Sequence, residues 1–350
     1  MPKIDYAALA LTLALGALGG LVARALGLPL GLLLGSLVVT GALAATGARP
    51  LGKPITLPMT LRSAFVPVIG VSIGGAFTPE VLAEAWRWWP SLLALLIFLP
   101  IAHATGYLIY SRGGLPKLES FFGSVPGGLI ETVQMGEEAG GDARLMTVLQ
   151  FLRLILTIIA VPLIFTMLTG VAVGSASGAS LPAAAVPLTP YEVAVLLAAG
   201  GLGFWLGRLV RLPAAIMTGP ILFSAVAHAA GLVHGVPPGC LVGLTQVVVG
   251  CGLGARFAGA DRAMLWRASR LAVVNAVVAL AIAFGFAAAL APLVGEPTEA
   301  VFLAFAPGGL AEMSLIALSL QMSVVYVTLH HVARIVLSVL VARLGGRWIG

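Results

Sequence analysis

The sequence is 350 residues long, 60% hydrophobic and only 9% charged, with a mean hydropathy of +1.09. A soluble domain carries about 25% charged residues, so this composition excludes a water-soluble globular surface and predicts an outer surface that contacts the lipid bilayer. The net charge of +6 would suggest a nucleic-acid partner for a soluble protein. In a membrane protein it indicates topology instead, because Lys and Arg collect on the cytoplasmic side, and we expect no nucleic-acid partner.

Apolar stretches of roughly 20 residues, the length of one helical bilayer crossing, occur in two sets of five. They lie at about 6–26, 28–46, 57–77, 88–110 and 145–170, and then at about 191–209, 212–231, 238–258, 269–292 and 324–342. Two further apolar stretches, about 119–137 and 300–320, are interrupted in the middle by Pro-Gly-Gly. The uncharged stretch 171–190, rich in Ala, Gly, Ser and Pro, is typical of a linker. We therefore predict an all-α polytopic membrane protein with repeats 1–170 and 191–350.

The two halves share residues in the same order at nearly constant spacing, as expected for an internal duplication. Gly16, Gly19, Arg24, Leu28-Pro29, Gly35 and Gly47 recur 184 positions later, from Gly200 to Gly231. The run Gly70–Gly74 with Phe77, Trp86 and Arg87 recurs 180 positions later. Pro126-Gly-Gly-Leu129, Glu131 and Arg153 recur 181 positions later. Residues 1–26 have the features of a secretory signal, but their counterpart lies in mid-chain, so we predict a first span there.

The distribution of positive charge predicts how the repeats are oriented. If each Pro-Gly-Gly segment enters and leaves on one side, each repeat has five crossings, and this odd number inverts the second repeat. With a cytoplasmic N-terminus, the loops 171–190, 231–239 and 293–299 are then external, and none contains Lys or Arg. This arrangement satisfies the positive-inside rule, so we expect inverted repeats with re-entrant broken segments, cytoplasmic termini and a bacterial inner-membrane location. The cytoplasmic positions are Lys3, Arg49, Lys53, Arg112, Lys117, Arg144, Arg208, Arg211, Arg256, Arg262, Arg267, Arg270, Arg343 and Arg347, against Arg24 and Arg87 outside.

The Pro-Gly-Gly elements are predicted to form the solute site. Proline suits the first turn of a new half-helix, and glycine allows unusual dihedral angles and close backbone approach. The positive end of such a half-helix, with its free N–H groups, can bind an anion or a carboxylate within the membrane. The alternative is a proline hinge that only kinks a packed helix. The residues concerned are Pro126, Gly127 and Gly128 in the first repeat, and Pro307, Gly308 and Gly309 in the second.

Glu131 and Glu312 follow these elements at equivalent positions. A carboxylate at membrane depth costs on the order of 3 kcal/mol, so it needs a reason to be there. Each is a candidate to carry a proton or bind a cation; the alternative is a structural ion pair with Arg153 or Arg334.

Three polar residues precede these arginines at helical spacing: Gln150, three positions before Arg153, and His330 and His331, four and three positions before Arg334. Such spacing places them on one helix face. Arginine can hold a carboxylate bidentately, although snorkelling to the interface is an equal alternative. A histidine can relay protons near neutral pH, and at least one of the two is expected to be structural.

The segments Gly123-Ser-Val-Pro-Gly-Gly-Leu-Ile-Glu131, Ala306-Pro-Gly-Gly-Leu-Ala-Glu-Met-Ser314 and Leu329-His-His-Val-Ala-Arg334 resemble the AbrB family of bacterial membrane proteins. The resemblance covers nearly the whole chain. It implies a duplicated integral membrane protein with no settled substrate. The family is also catalogued under an ammonia monooxygenase label, and one member is linked to gene regulation.

These observations favour a secondary transporter over the alternatives. A copper monooxygenase needs clustered ligands, and histidines at 103, 228, 234, 330 and 331 are scattered, so we expect no enzyme and no cofactor. A protein that regulates transcription directly needs a soluble basic module. No loop of this sequence is long enough to hold one, so any effect on gene regulation would be indirect. The hypothesis is a proton- or sodium-coupled carrier of a small polar solute, with an anion favoured; a channel and a membrane sensor are the alternatives. Such a fold is compatible with one bundle moving against a scaffold that forms a homodimer.

Overall fold

The computed structural model describes residues 5–28, 30–169, 186–212, 214–259, 261–320, 322–346 and 349, and these residues form helices and connecting turns without a β-strand. Most of the predicted linker 171–190 lies outside the described residues, as do Pro29, Pro213, Lys3 and Arg347. The helices are α1 Tyr6–Ala25, α2 Gly31–Ala45, α3 Met59–Gly74, α4 Pro79–Glu84, α5 Trp89–Arg112, α6 Lys117–Ser124, α7 Leu129–Glu138, α8 Ala143–Thr169, α9 Pro190–Leu209, α10 Ala215–Ala229, α11 Gly239–Gly254, α12 Arg262–Val294, α13 Thr298–Phe305, α14 Leu310–Ser319 and α15 Val324–Gly346.

Seven helical segments in the described chain are long and apolar enough to cross a membrane. They correspond to α1, α5, α8, α9, α11, α12 and α15, with short 3₁₀ extensions on α5 and α11. This is a membrane protein by the length and composition of its helices.

Three helices are shorter than the spans that hydropathy predicts. Helices α2, α3 and α10 have 15, 16 and 15 residues, and a rise of 1.5 Å per residue makes them about 22–24 Å long. The hydrocarbon core is about 30 Å thick. The reason lies partly at their starts, because Leu30 and Ala214, at equivalent positions before α2 and α10, adopt left-handed backbone angles of φ 47° and φ 49° that interrupt the helix.

The described chain divides into two compact units, which is a different division from the two sequence repeats. Unit 1 comprises residues 1–79, 162–262 and 318–324, and unit 2 comprises residues 80–161, 263–317 and 325–350. Each unit therefore takes elements from both repeats. The first three helices of each repeat lie in unit 1 with the ends of α8 and α14, and the rest of the broken segments lies in unit 2 with the helices around it.

Unit 1 is built from equivalent helix contacts. Helix α1 packs on α2 and α9 on α10, while α2 packs on α11 and α3 on α10. Glycines allow the closest approaches: a Cβ atom on Gly35 would overlap the carbonyl oxygen of Gly19, and one on Gly219 would overlap that of Gly203. Small residues at such crossings are what membrane helices use to pack closely. The recurrence of these glycines at a shift of 184 positions therefore has a packing cause.

Unit 2 has an aromatic core beside its second broken segment. The Phe98 ring lies edge-on to Phe305, with centroids 5.2 Å apart, and edge-on to Phe286 at 5.4 Å. Phe305 is the last residue of α13, so this cluster anchors the end of the half-helix that precedes the break.

Candidate solute-binding site

The first broken segment is a helical hairpin. Helix α6 ends at Ser124 and α7 begins at Leu129. Asp142, just beyond α7, donates its backbone N–H to Glu119 Oε1 near the start of α6 at 2.8 Å. Because the outer ends of the two half-helices meet, the segment doubles back on itself with its Pro-Gly-Gly turn at the tip.

The half-helices after the breaks begin at Leu129 and Leu310, three residues after the prolines that were predicted to open them. The carbonyl of Gly128 accepts the first helical bond of α7, from Thr132 N–H at 2.8 Å, and Gly309 does the same for Met313 at 2.9 Å. Gly128 has φ +63°, an angle that glycine adopts at little cost. The prediction that proline opens the half-helix was wrong, because the glycines make the turn and the second glycine forms the N-cap.

Glu131 and Glu312 each occupy the third position of a half-helix. Glu312 is buried, at 5% exposure, and a Cβ atom on Gly309 would overlap its Oε2 atom. Glu131 is half-buried, and its Oε2 lies 3.6 Å from where a Cβ on Gly128 would stand. A glutamate that reaches back from the third position towards the N-cap has the side-chain placement of a capping box. Both carboxylates therefore lie at the positive end of a half-helix dipole.

Arg153 is held by the carbonyl oxygens at the first break. It is 5% exposed, and its Nη1 donates to Val125 O at 2.5 Å and to Ser124 O at 3.4 Å. These carbonyls belong to the C-terminal end of α6, where a helix leaves carbonyl groups without partners and carries partial negative charge. Among the described residues, Glu131 has no ion-pair partner within 4.0 Å. The alternative of an ion pair between Glu131 and Arg153 is therefore not observed, and Arg153 bonds to the backbone instead.

Arg334 makes the equivalent contacts at the second break. It is 2% exposed, and its guanidinium donates to Ala306 O and, at 2.6 Å, to Gly308 O. Val125 and Ala306 are 181 positions apart, the same shift that relates the two arginines. Burial of both arginines in unit 2 disfavours the snorkelling alternative.

Within unit 2, each break lies against a helix of the other repeat. A Cβ atom on Gly127 would stand 2.9 Å from Ser338 Oγ and 3.5 Å from Arg334 O, on α15. In the reverse direction, a Cβ on Gly309 would stand 3.2 Å from Leu154, the neighbour of Arg153 on α8. Each break thus packs against the arginine-bearing helix of the other repeat.

Gln150 ties three elements of the first hairpin together. It is fully buried, and its Nε2 donates to Phe122 O at 2.8 Å and to Thr132 Oγ1 at 2.6 Å. Thr132 in turn donates to Gly128 O at 2.8 Å. This network fixes α8 against both sides of the break, so Gln150 positions the hairpin.

The adjacent histidines have different surroundings. His331 Nε2 donates to Leu303 O at 2.9 Å, and its Nδ1 accepts from Arg334 at 2.8 Å, which assigns the neutral tautomer from its partners. His330 donates from Nδ1 to Tyr326 O at 2.8 Å, and its Nε2 lies 2.8 Å from Ser91 Oγ on α5. His331 therefore belongs to the cluster around Arg334, while His330 joins α15 to α5.

Sequence reasoning missed Ser124 and His103 beside the first break. Ser124 Oγ lies 3.1 Å from His103 Nδ1, and both residues are buried. Gly106 makes room for this contact, since a Cβ there would stand 2.9 Å from the Ser124 side chain. The available signal was the presence of a serine directly before the break and a histidine in an apolar span, because polar groups at membrane depth need partners.

Comparison with known proteins places the chain in a family. The family model described as "Transition state regulatory protein AbrB" matches residues 41–350. The chain is 25% identical over 352 aligned residues to "Uncharacterized protein YhjN" of Bacillus subtilis (strain 168), covering 93% of this chain and 88% of that protein. It is 28% identical over 324 residues to "Putative regulator AbrB" of Escherichia coli (strain K12), covering 91% and 88%. The chain belongs to the AbrB family.

Proposed function

We propose that this protein is a secondary active transporter of a small anionic solute, coupled to protons or sodium and not an enzyme. One observation carries the proposal: each Pro-Gly-Gly break in unit 2 packs against the arginine-bearing helix of the other repeat, and each has a glutamate at its half-helix N-terminus and an arginine on its carbonyls. Broken helices at equivalent places of two repeats are how secondary transporters build midplane sites.

Inverted repeats with re-entrant hairpins are the arrangement we propose for the membrane. The contact between Glu119 and Asp142 supports re-entry, because both outer ends of the first hairpin lie together. Irregular backbone at membrane depth is tolerated where protein or a water-filled cavity surrounds it, and the carbonyls at both breaks are bonded by buried arginines. With five crossings in each repeat, both termini of the chain would then lie on the cytoplasmic face of the inner membrane.

The charges favour an anion as the solute. Two buried arginines lie at the breaks, and a buried charge favours a partner of opposite sign. The Nε atoms of Arg153 and Arg334 have no hydrogen-bond partner among the described residues, so each arginine keeps a donor for a ligand. Charge-assisted hydrogen bonds of this kind are the strong ones.

The glutamates provide a means of coupling. Each carboxylate lies at the half-helix N-terminus, where an anionic solute would also gain from the dipole. Protonation of the carboxylate, or its neutralisation by sodium, removes the negative charge that competes with the solute. Solute and coupling ion would then bind together.

A second candidate, a membrane sensor with an indirect effect on gene expression, is favoured by names alone. The family description and the Escherichia coli relative both carry the word regulator or regulatory. A sensor would bind its solute at the same breaks and would not move it across the membrane.

The test is thermal unfolding of the purified protein against carboxylates, amino acids, ammonium and sodium at two pH values, followed by proteoliposome uptake of any solute that stabilises it. A ligand at 100 times its dissociation constant stabilises the folded protein by about 2.7 kcal/mol. We expect an anion to raise the melting temperature of the wild type and to be taken up with a proton or sodium gradient.

Three variants locate the response. Glu131→Gln and Glu312→Gln should lose the coupling-ion dependence, while Glu137→Gln, an exposed glutamate of the same helix α7, should behave as wild type. Binding without uptake would support the sensor. No response to any solute, with all three variants alike, would exclude a solute site at the breaks.

A further inference from the structure

An open apolar groove runs along unit 1. It has a volume of about 1140 Å³, and its walls are α3 from Met59 to Val71 and α9 from Val193 to Arg208. Among the side chains that line it, those of Thr60, Ser63 and Arg208 are polar. An apolar channel with one cationic end suits an amphipathic ligand.

Two glycines create the depth of the groove. A Cβ atom on Gly201 would meet no atom within 4 Å, and one on Gly200 would stand 3.5 Å from Val71. Beside them, the Leu197 side chain is 71% exposed. Helix α9 therefore has no side chain at these two positions, which leaves space for a ligand in the groove.

Arg208 forms the charged end. Its guanidinium lies over the Phe204 ring, 5.5 Å from the centroid, so the aromatic ring supports a cation there. Arg208 is exposed, and among the described residues no carboxylate lies within ion-pair distance of it. Its charge is available to an external anion.

The groove is long enough to hold a lipid chain. Val193 and Arg208 are 15 positions apart on one helix, which corresponds to about 22 Å at 1.5 Å per residue. One leaflet of hydrocarbon is about 15 Å deep, half of the bilayer core. A chain lying along α9 with its head at Arg208 would thus span a full leaflet.

We propose that this groove binds an anionic phospholipid, with its phosphate on Arg208 and an acyl chain over Gly200 and Gly201. Arginine donors match phosphate geometry, and basic pockets between transmembrane helices on the cytoplasmic side bind anionic headgroups. The orientation proposed above, with a cytoplasmic N-terminus, puts Arg208 on that side, so this step rests on the proposed function's topology. This site is independent of the solute site in unit 2.

The test compares dioleoylphosphatidylglycerol with dioleoylphosphatidylcholine, added to delipidated protein and followed by native mass spectrometry and thermal unfolding. We expect tighter binding and a larger rise in melting temperature with phosphatidylglycerol. Arg208→Gln should reduce phosphatidylglycerol binding about fivefold, the worth of one basic residue at an anionic surface. Gly201→Leu should block the groove and reduce binding of both lipids.

The matched control is Arg24→Gln, since Arg24 is the exposed counterpart of Arg208 in the first repeat and does not line the groove. It should bind as the wild type does. The melting temperature of Gly201→Leu without lipid, expected to equal that of the wild type, checks that this variant is folded. Equal binding of both lipids to the wild type would overturn the proposal, as would full phosphatidylglycerol binding by Arg208→Gln or Gly201→Leu. The proposal would also be overturned if the wild type were a dimer without bound lipid and Gly201→Leu were a monomer.

Discussion

Arg153 and Arg334 bring charge into the interior of a membrane protein, and the backbone supplies their partners. A half-helix that ends inside unit 2 leaves carbonyl groups without intrahelical bonds, and burying such groups unpaired costs about 1–3 kcal/mol each. Arg153 donates to two such carbonyls, Ser124 O and Val125 O. Arg334 donates to Ala306 O at the end of α13 and to Gly308 O in the turn that follows, and both guanidinium groups oppose the negative end of a half-helix dipole. This accounts for an arginine at the same place in both repeats, whether or not it also contacts solute.

Arg334→Lys is expected to destabilise the protein. Lysine has one compact ammonium and lacks the planar fork that reaches Ala306, Gly308 and His331 together. The loss should be about 1–3 kcal/mol, because at least one buried carbonyl or ring nitrogen is left without a donor. The measurement is the melting temperature in detergent.

Arg343→Lys is the matched control, since Arg343 lies in the last turn of the same helix and is exposed. Exposed substitutions usually change stability by less than about 0.5 kcal/mol. Equal melting temperatures for both variants would mean that lysine can replace the fork at the second break.

Gly309→Ala is expected to displace the Glu312 carboxylate while the protein stays folded. The added methyl group would overlap Oε2 and stand 2.8 Å from the carboxyl carbon. Solute binding should weaken by about tenfold, the equivalent of roughly one hydrogen bond, as measured by the solute concentration that gives half of the thermal shift.

The control for this change is Gly285→Ala in α12, where a Cβ meets no atom within 4 Å. It should melt slightly higher than the wild type, because alanine favours a helix more than glycine, and it should bind solute normally. If Gly309→Ala binds as tightly as Gly285→Ala, the position of the Glu312 carboxylate is irrelevant to the solute.

At the scale of elements, hydropathy and the Pro-Gly-Gly pattern predict where the chain is helical and where it breaks. The broken segments predicted at about 119–137 and 300–320 are observed as α6–α7 at 117–138 and α13–α14 at 298–319. These succeed because lipid imposes length and apolarity on every span. The shortness of α2 and α10 could not be predicted, since their left-handed starts at Leu30 and Ala214 place non-glycine residues in a conformation that they rarely adopt.

Glu119→Ala is expected to loosen the outer end of the first hairpin. The Glu119 carboxylate accepts from the Asp142 N–H at 2.8 Å, and a hydrogen bond to a charged group contributes about 1.5–3 kcal/mol. Amide exchange at Asp142, measured by hydrogen–deuterium exchange, should accelerate by one to two orders of magnitude. Glu137→Ala, an exposed change on α7, should leave that amide unchanged. Unaltered exchange in Glu119→Ala would show that other contacts hold the hairpin together.

At the scale of the whole molecule, the duplication is visible in sequence, but the partition into two units is not. Spacing along a chain says which residues are equivalent; it does not say that α2 of one repeat packs on α11 of the other. The candidate site shows the same limit. The residues at the breaks could be named from sequence, whereas the bond from Arg153 to Val125 and the network around Gln150 depend on tertiary packing.

The orientation of the repeats can be tested on the native cysteines. Cys240 is exposed at the start of α11, and Cys251 is buried. The charge distribution predicts that the loop 231–239 is external, because it lacks Lys and Arg. A membrane-impermeant maleimide added to spheroplasts should therefore label the wild type at Cys240, and Cys240→Ser should abolish the labelling.

The equivalent position in the first repeat gives the decisive comparison. Thr60 lies 180 positions before Cys240, at the start of α3, and is also exposed. In inverted repeats the two positions face opposite sides, so Thr60→Cys in a Cys240→Ser background should react only after the membrane is permeabilised. Parallel repeats require both cysteines to react from the same side. Labelling of both positions from outside would thus contradict the inverted arrangement. It would also contradict a single midplane site formed by the two half-helix N-termini, because that site depends on inverted repeats.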